Sequence, residues 1–443
     1  MRKTFMIFIT VVTTALFLAG CGEHQSTYYA QVDEDQVLVT VPPLEIYEHE
    51  DEIEEYIQEP ETSAKIAVLH RDSGTSRFDW LAALEKRYGA ENVLIYTWPD
   101  LWFNDFVAMQ RETIINEIVQ NQEISVLIVN PARYGTDYFM GMLREQRDDI
   151  FVVYLDYSDD EWSDIDLPFR ANNLSDATVK ADLILGLDEH EWLQRFPAQA
   201  QALGATAMVY FYNEGQWDWD EETESSVFVR LEESEMHRLL REKSAEIGLG
   251  FIEVDIENAI QCGSSYHMFT ERVIPPLFQE YGKDIVLFGI WADRELWRWW
   301  VEDFIYLPMH PPGSWSDPHP MWIATELSMF DDSLLDLKEN EIPEIIEKIR
   351  EVLEQRDLLG RIAGMPIPMD QLLPIAAVEY SMLRTQGEVP EDGIDVNVLQ
   401  LIMIDIIADL TGLQNHGVSL RAFTQNGATY ENYILVLVDH LIY

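Results

Sequence analysis

Cysteine is nearly absent. Only Cys21 and Cys262 occur in 443 residues, which excludes a disulfide framework and leaves folding to apolar burial. The 47% of hydrophobic residues is ample for that. Basic residues are scarce too: 29 Lys and Arg, mostly Arg, stand against 80 Asp and Glu, for a formal net charge of −51. Such a surface repels phosphate backbones and anionic headgroups, so no nucleic acid is expected as a partner. Salt screens self-repulsion, so the acid excess points to a saline or alkaline habitat. Beyond the first twenty residues no run is apolar and long enough to span a membrane.

Signatures of chemistry are missing as well. Arg71, Asp72, Ser73 and Gly74 lack the glycine spacing of a dinucleotide or phosphate loop. His190 and Glu191 lack the second histidine of a zincin helix, and no Gly-x-Ser-x-Gly elbow occurs. His310, Asp317 and His319 share a proline-rich stretch that reads as a rigid surface loop rather than a metal site. No cofactor, metal or catalytic residue is therefore expected.

What is present begins at the first residue. Arg2 and Lys3 precede an apolar run over residues 5–17, and Leu18, Ala19, Gly20 and Cys21 close it. Small residues before a cysteine form the pattern that lipoprotein signal peptidase recognises. Residues 1–20 are thus expected to be a signal peptide and Cys21 a lipidated N-terminus on the outer face of a cell membrane. Cys262 is then left alone. Residues 21–63 are acidic and interrupted by Pro42, Pro43 and Pro60, and they read as a tether, with a stray strand at 36–41.

From residue 64 short runs rich in Val, Ile, Leu and Tyr alternate with helix-period segments. The runs are 66–70, 93–97, 125–130, 151–156, 182–187, 205–212, 251–255 and 285–290. Helical patterns fall at 78–88, 105–120, 137–147, 189–203, 231–247 and 272–281. Continuous apolar strands between amphipathic helices imply parallel sheets covered on both faces, an α/β fold. Eight such units exceed one ordinary sheet. The reading is two doubly wound lobes, at 64–160 and 161–302, divided in the irregular stretch 157–180. A Trp-dense helix at 293–302 follows, then a return strand at 304–307 within a crossover and Pro-rich loop, 303–330. The mostly helical extension, 331–443, reads as three helices and a last strand, 433–438, that joins a sheet edge of the first lobe.

Three segments carry a resemblance: residues 64–70, from Ala64 to His70; residues 180–188, from Lys180 to Asp188; and residues 203–212, from Leu203 to Tyr212. Residues 281–288 and the closing residues 429–439 do so as well. Together they resemble an uncharacterised clostridial-type lipoprotein family, a domain of unknown function. It resembles in turn the class I periplasmic binding proteins. That likeness, spanning residues 64–443, implies two similar α/β lobes, three crossovers and a ligand cleft between them. It implies no particular ligand and no catalytic residue. The acidity, the abundance of Trp and the insertion at 159–166 depart from the family.

In open parallel sheets, ligands bind beyond the carboxyl ends of the strands, where loops converge. Reading those ends in order gives Arg71, Asp72 and Ser73; Trp98; Asn130, Arg133 and Tyr134; and Asp156. The second lobe offers Asn213 and Trp217, Asp255, and Trp291 with Asp293. Aromatic rings recurring beside Asp, Asn and Arg suit a small polar ligand with ring faces, a sugar or nucleoside. The expectation is an extracytoplasmic solute-binding lipoprotein, partnered by a small molecule, by the membrane through Cys21, and by a transporter permease or sensor. A lipid-anchored hydrolase using cleft carboxylates, or a non-binding envelope scaffold, is the alternative.

Overall fold

The computed structural model describes residues 65–71, 84, 88–98, 105–130, 136–156, 180–212, 215–220, 225–230, 235–255, 273–288, 302–307, 319–337, 341–425 and 427–443. In chain order the strands are β1 (Lys65–Arg71), β2 (Val93–Trp98), β3 (Ile124–Asn130), β4 (Phe151–Asp156), β5 (Leu183–Leu187), β6 (Ala207–Tyr212), β7 (Gly215–Asp220), β8 (Ser225–Arg230), β9 (Gly250–Asp255), β10 (Ile285–Phe288), β11 (Ala363–Gly364), β12 (Val418–Gln425), β13 (Ala428–Val438) and β14 (Leu441–Ile442). The helices are α1 (Asp105–Gln120), α2 (Thr136–Arg144), α3 (Glu189–Ala202), α4 (Glu235–Ile247), α5 (Ile274–Tyr281), α6 (Pro320–Leu327), α7 (Ile342–Gln355), α8 (Met369–Gln386) and α9 (Val396–Thr411). The chain forms two compact units, which part within α3 after Phe196 and again after Ile305. No helix among the described residues is long and apolar enough to cross a membrane.

The larger unit holds a seven-stranded sheet in the order β12-β13-β5-β4-β3-β1-β2. Only β12 runs antiparallel, paired to β13 through a tight hairpin. The central strands are apolar at every position because both faces are covered; all six residues of β4 are buried. Alternation along β4 sends Val153 and Leu155 into one core with Leu372, Ala376 and Met403 of α8 and α9. Val152 and Tyr154 face the other core, with Ile115 and Ile118 of α1 and Phe139 and Leu143 of α2. Helix α7 buries Ile345, Ile346, Ile349, Val352 and Leu353 along one stripe and has Pro343 in its first turn, where no intrahelical N–H is required.

The smaller unit has a parallel sheet in the order β10-β6-β9 and a separate antiparallel hairpin, β7 with β8. Tyr210, Phe251 and Phe288 share one face of the sheet, and His237 of α4 packs on them, 4.4 Å from the Tyr210 ring. Buried His237 meets Glu253 of β9 at 2.6 Å, which fixes α4 on the sheet.

Four expectations are corrected. First, β5 and the start of α3 belong to the larger unit, not to a second lobe opening at residue 161. Strand β5 pairs in parallel with β4, so the chain crosses over within one sheet between them and the lobe boundary does not fall there. Second, residues 304–307 form two isolated bridges, Ile305 to Val286 and Tyr306 to Ile362, and no strand ladder. Third, residues 433–438 are not at an edge: β13 lies between β5 and β12. Fourth, the extension contributes more strands than the one expected: β12 and the β11–β14 pair were not foreseen. The tether with the 36–41 strand, Cys21, Cys262, most of the 78–88 helix, the 293–302 helix and the proline-rich loop up to residue 318 lie outside the described residues. His319 is inside them. It caps α6, its Nδ1 accepting from the Trp322 N–H at 3.3 Å.

Candidate ligand site at the strand ends

The carboxyl ends of four adjacent strands put proposed site residues on one edge of the larger sheet. Arg71 pairs in register with Trp98, and His70 with Asn130. Val129 pairs with Tyr154, so Asp156 ends β4 one step further along. Four strands side by side span about 14 Å, enough for a mono- or disaccharide. Asn130 is 2% exposed and Asp156 6%. For Arg71 and Trp98 the structure describes the backbone only. Asp72, Ser73, Arg133 and Tyr134 lie outside the described residues.

Asp156 is held from below. Tyr433 of β13 donates its hydroxyl to Asp156 Oδ2, crossing β5 to do so. The crossing is possible because β5 has Gly186 opposite Asp156. A Cβ at Gly186 would lie 2.7 Å from Tyr433 Cε2 and 2.9 Å from its hydroxyl oxygen. Gly186→Ala is therefore expected to push the ring aside, freeing Asp156 and costing about 1–3 kcal/mol as overpacking. The cost should shrink when the ring is already gone, in Tyr433→Val, and thermal unfolding of the four-member cycle measures it. Equal cost in both backgrounds would detach Gly186 from the tyrosine.

The next polar group on this edge was not foreseen as a site residue. Asp188 follows β5, is 4% exposed, and takes both Nε and Nη2 of Arg421 from β12, the latter at 2.6 Å. It also caps α3 by accepting from the Glu191 N–H at 3.1 Å. With both of its oxygens committed, Asp188 is a lock between β5, α3 and β12.

A second unforeseen feature is the first turn of α8. Beyond the carboxyl end of β13, β14 pairs with β11, so the chain stands at this same edge when α8 begins five residues later. At the other end of α8, Arg384 sits 4.6 Å over the ring of Phe151, the first residue of β4. Helix α8 thus runs antiparallel to β4, and its N-terminus overlooks the carboxyl edge. Asp370 occupies that turn, and burial pushes its carboxyl up to about 6. Beside it, Gln371 is 7% exposed, and its Oε1 has no hydrogen-bond donor among the described residues.

A cavity of about 250 Å³ opens at the opposite, amino-terminal edge, lined by Phe151, Asp182, Arg384, Glu391, Asp392 and Asn432. Three of its polar side chains are already engaged with the chain. Asp182 pairs with Arg144 at 2.6 Å, Asn432 donates to the Ala181 carbonyl, and Arg384 donates to the carbonyls of Pro390 and Glu391. They pin the crossover and the α8–α9 loop, which makes this hollow a weaker candidate than the carboxyl edge.

In the smaller unit Asp255 ends β9 in register with Tyr212, which ends β6. Trp217 does not sit in a strand-end loop as expected. It lies within β7, paired in register with Phe228 of β8. Asn213, Trp291 and Asp293 lie outside the described residues.

Residues 66–302, more than half of the chain, match the model of a family described as protein of unknown function, DUF3798. The chain belongs to the DUF3798 family. Asp370, Gln371, Arg421 and Tyr433 fall beyond the matched segment of this DUF3798 protein. Among solved structures, a candidate transcriptional regulator from Clostridium difficile 630 is similar over 86% of this chain and 99% of its own, at 18% identity and a TM-score of 0.61. A LacI family transcriptional regulator from Arthrobacter sp. FB24, in complex with lactose, is similar over 74% of this chain and 91% of its own, at 10% identity and a TM-score of 0.33. For a periplasmic solute binding protein of an ABC transporter from Actinobacillus succinogenes 130z, with bound D-allose, the shares are 74% and 93%, the identity 10% and the TM-score 0.34. No curated protein matches the chain. The DUF3798 protein has an α/β fold built on parallel sheets, a fold it shares with the Clostridium difficile regulator.

Proposed function

We propose that this protein is a lipid-anchored, extracytoplasmic solute-binding protein that captures a small polar, ring-bearing molecule, a sugar or nucleoside, for transport or sensing. The observation that carries the reading is the edge where Arg71, Trp98, Asn130 and Asp156 end four neighbouring parallel strands. Fold alone does not name a function, but this edge is where open α/β sheets bind ligands. The Leu18–Cys21 pattern supports the anchor, and the net charge of −51 argues against the nucleic acid that a regulator of this fold would need. The further proposed contacts are Asp72, Ser73, Arg133, Tyr134, Asn213, Asp255, Trp291 and Asp293, with Trp217 from within the β7–β8 hairpin.

Titrating protein that lacks residues 1–20 with sugars, nucleosides and amino acids should shift its tryptophan fluorescence saturably for one class. Arg71→Ala or Asp293→Ala should then weaken binding by about 1–3 kcal/mol, the usual cost of an unpaired buried partner. A saturable response that survives both changes would move the site elsewhere; turnover of the bound compound would turn the reading to a hydrolase. The anchor is tested separately. Native protein should carry a diacylglyceryl group on Cys21, two chains being needed for stable attachment. Mass spectrometry showing an intact Met1 terminus would remove that part of the proposal.

A further inference from the structure

The first turn of α8 holds an excess of hydrogen-bond acceptors that the described residues do not satisfy. A Gln at the third helical position ordinarily reaches back to the N–H of the capping residue. Here the cap is Pro368, which has no N–H, so Gln371 has no such partner. Its Oε1 is buried and undonated, in a residue that keeps only 7% exposure. One residue away, the half-buried Asp370 carboxyl has no cation beside it among the described residues. Four residues on, Pro374 lacks the N–H that would normally close onto the Asp370 carbonyl. Buried acceptors left open destabilise a fold, and such costs persist mainly where a ligand offsets them.

We propose that Asp370 and Gln371 are ligand-contacting residues, and that their acceptors receive the hydroxyl groups of a sugar lying on the carboxyl edge of the larger sheet. The inference rests on the solute-binding reading and deepens it. Acceptors gathered without donors select a ligand rich in O–H groups. Asn130 stands on the α8 side of the sheet, the side of Val126 and Ile128, so this strand end and the helix turn face a ligand from the same side. Pro368 and Pro374 keep the turn open for the ligand by withholding the donors that would otherwise fill it.

The test is a titration of the chain lacking residues 1–20 with D-allose, D-ribose, D-glucose and D-glucosamine, followed by fluorescence and calorimetry. Gln371→Leu keeps the volume and removes the acceptor; Asp370→Asn keeps the shape and removes the charge. Each should raise the Kd of the neutral sugar that binds the parent by about tenfold or more, while melting no lower than the parent. A sugar that binds the parent and both variants equally overturns this inference and leaves the solute-binding reading standing. A parent with no saturable response to any of the four overturns this inference, and the solute-binding reading falls with it only if the nucleosides and amino acids are silent too. Binding of D-glucosamine alone would overturn the hydroxyl assignment in favour of a cationic ligand.

Discussion

Asp370→Asn is expected to melt several degrees above the parent at pH 8 and at the parent's temperature near pH 4. The carboxyl is raised from an ordinary value near 3.8 to about 6 because burial disfavours its charged form. A folded value above the unfolded one means that folding favours the neutral acid. The penalty is absent below the unfolded value of about 3.9. It grows as pH rises and is complete above about 6. A rise of that size corresponds to roughly 3 kcal/mol, an upper figure because the side chain keeps some contact with solvent. The positive end of α8 favours a charge there by only about 0.3–1 kcal/mol, so burial wins. Asparagine keeps the shape and never ionises, so the difference between variant and parent isolates this one group from the other carboxylates. At about 2–4 °C per kcal/mol for a unit of this size, the difference in melting is readily measured. A gain that is equal at pH 4 and pH 8 would mean that asparagine simply packs better, and that the carboxyl carries no burial penalty.

A stability cost of this kind at the rim of a proposed site fits a general trade-off, in which groups set for a ligand are poorly satisfied without it. The same substitution should therefore separate two properties. Stability should rise and sugar affinity should fall.

Much of the scaffold was legible because its strands are buried on both faces. The six residues of β4, and their counterparts in β3 and β5, read as apolar runs at any register. Helix α1 was bounded correctly at Asp105 and Gln120. The domain division was not legible, because a long irregular stretch looks alike whether it links domains or crosses over a sheet. Strand β12 was missed for a different reason. Val418, Leu420 and Ala422 alternate with Ser419, Arg421 and Phe423, the weak pattern of an edge strand packed on one face. The β7–β8 hairpin has the same half-polar character, and Trp217 was read as a loop residue in consequence.

The site divides along similar lines. Asn130 and Asp156 were identifiable as the polar residues that end buried strands. Their partners were not, since Tyr433 is 277 residues from Asp156 in sequence and Arg421 is 233 from Asp188. The sequence did carry one signal for Asp188. An acid between a strand and a helix with Glu189 and Glu191 in its first turn is an N-cap pattern. For Gln371 the signal was Pro368 three residues earlier, a cap with no N–H for the glutamine to meet.

Arg421→Ala is expected to be the most destabilising single change among those considered, because it strands a buried carboxylate. Asp188 is 4% exposed, and the guanidinium meets both of its oxygens. Burial works against the charge of Arg421, but Asp188 more than offsets it and holds the guanidinium above its ordinary range. Removing one member of such a pair costs about 3–5 kcal/mol, since the other remains desolvated with its charge uncompensated. Arg421 retains 21% exposure, so water can reach part of the gap and the lower figure, about 3 kcal/mol, is the better expectation. The loss should be visible as a fall of roughly 6–12 °C in melting of the larger unit. Fraying should begin at the start of α3, whose cap is the same carboxylate, and at β12, whose tie to α3 is broken. Asp188→Asn combined with Arg421→Met tests the mechanism. The amide still accepts from the Glu191 N–H, and methionine fills the stem of the arginine, so the double variant should recover more than half of the loss. If Arg421→Ala melts within about 2 °C of the parent, the carboxylate is not dependent on its partner, and the lock at this edge of the sheet lies in the β12–β13 ladder alone.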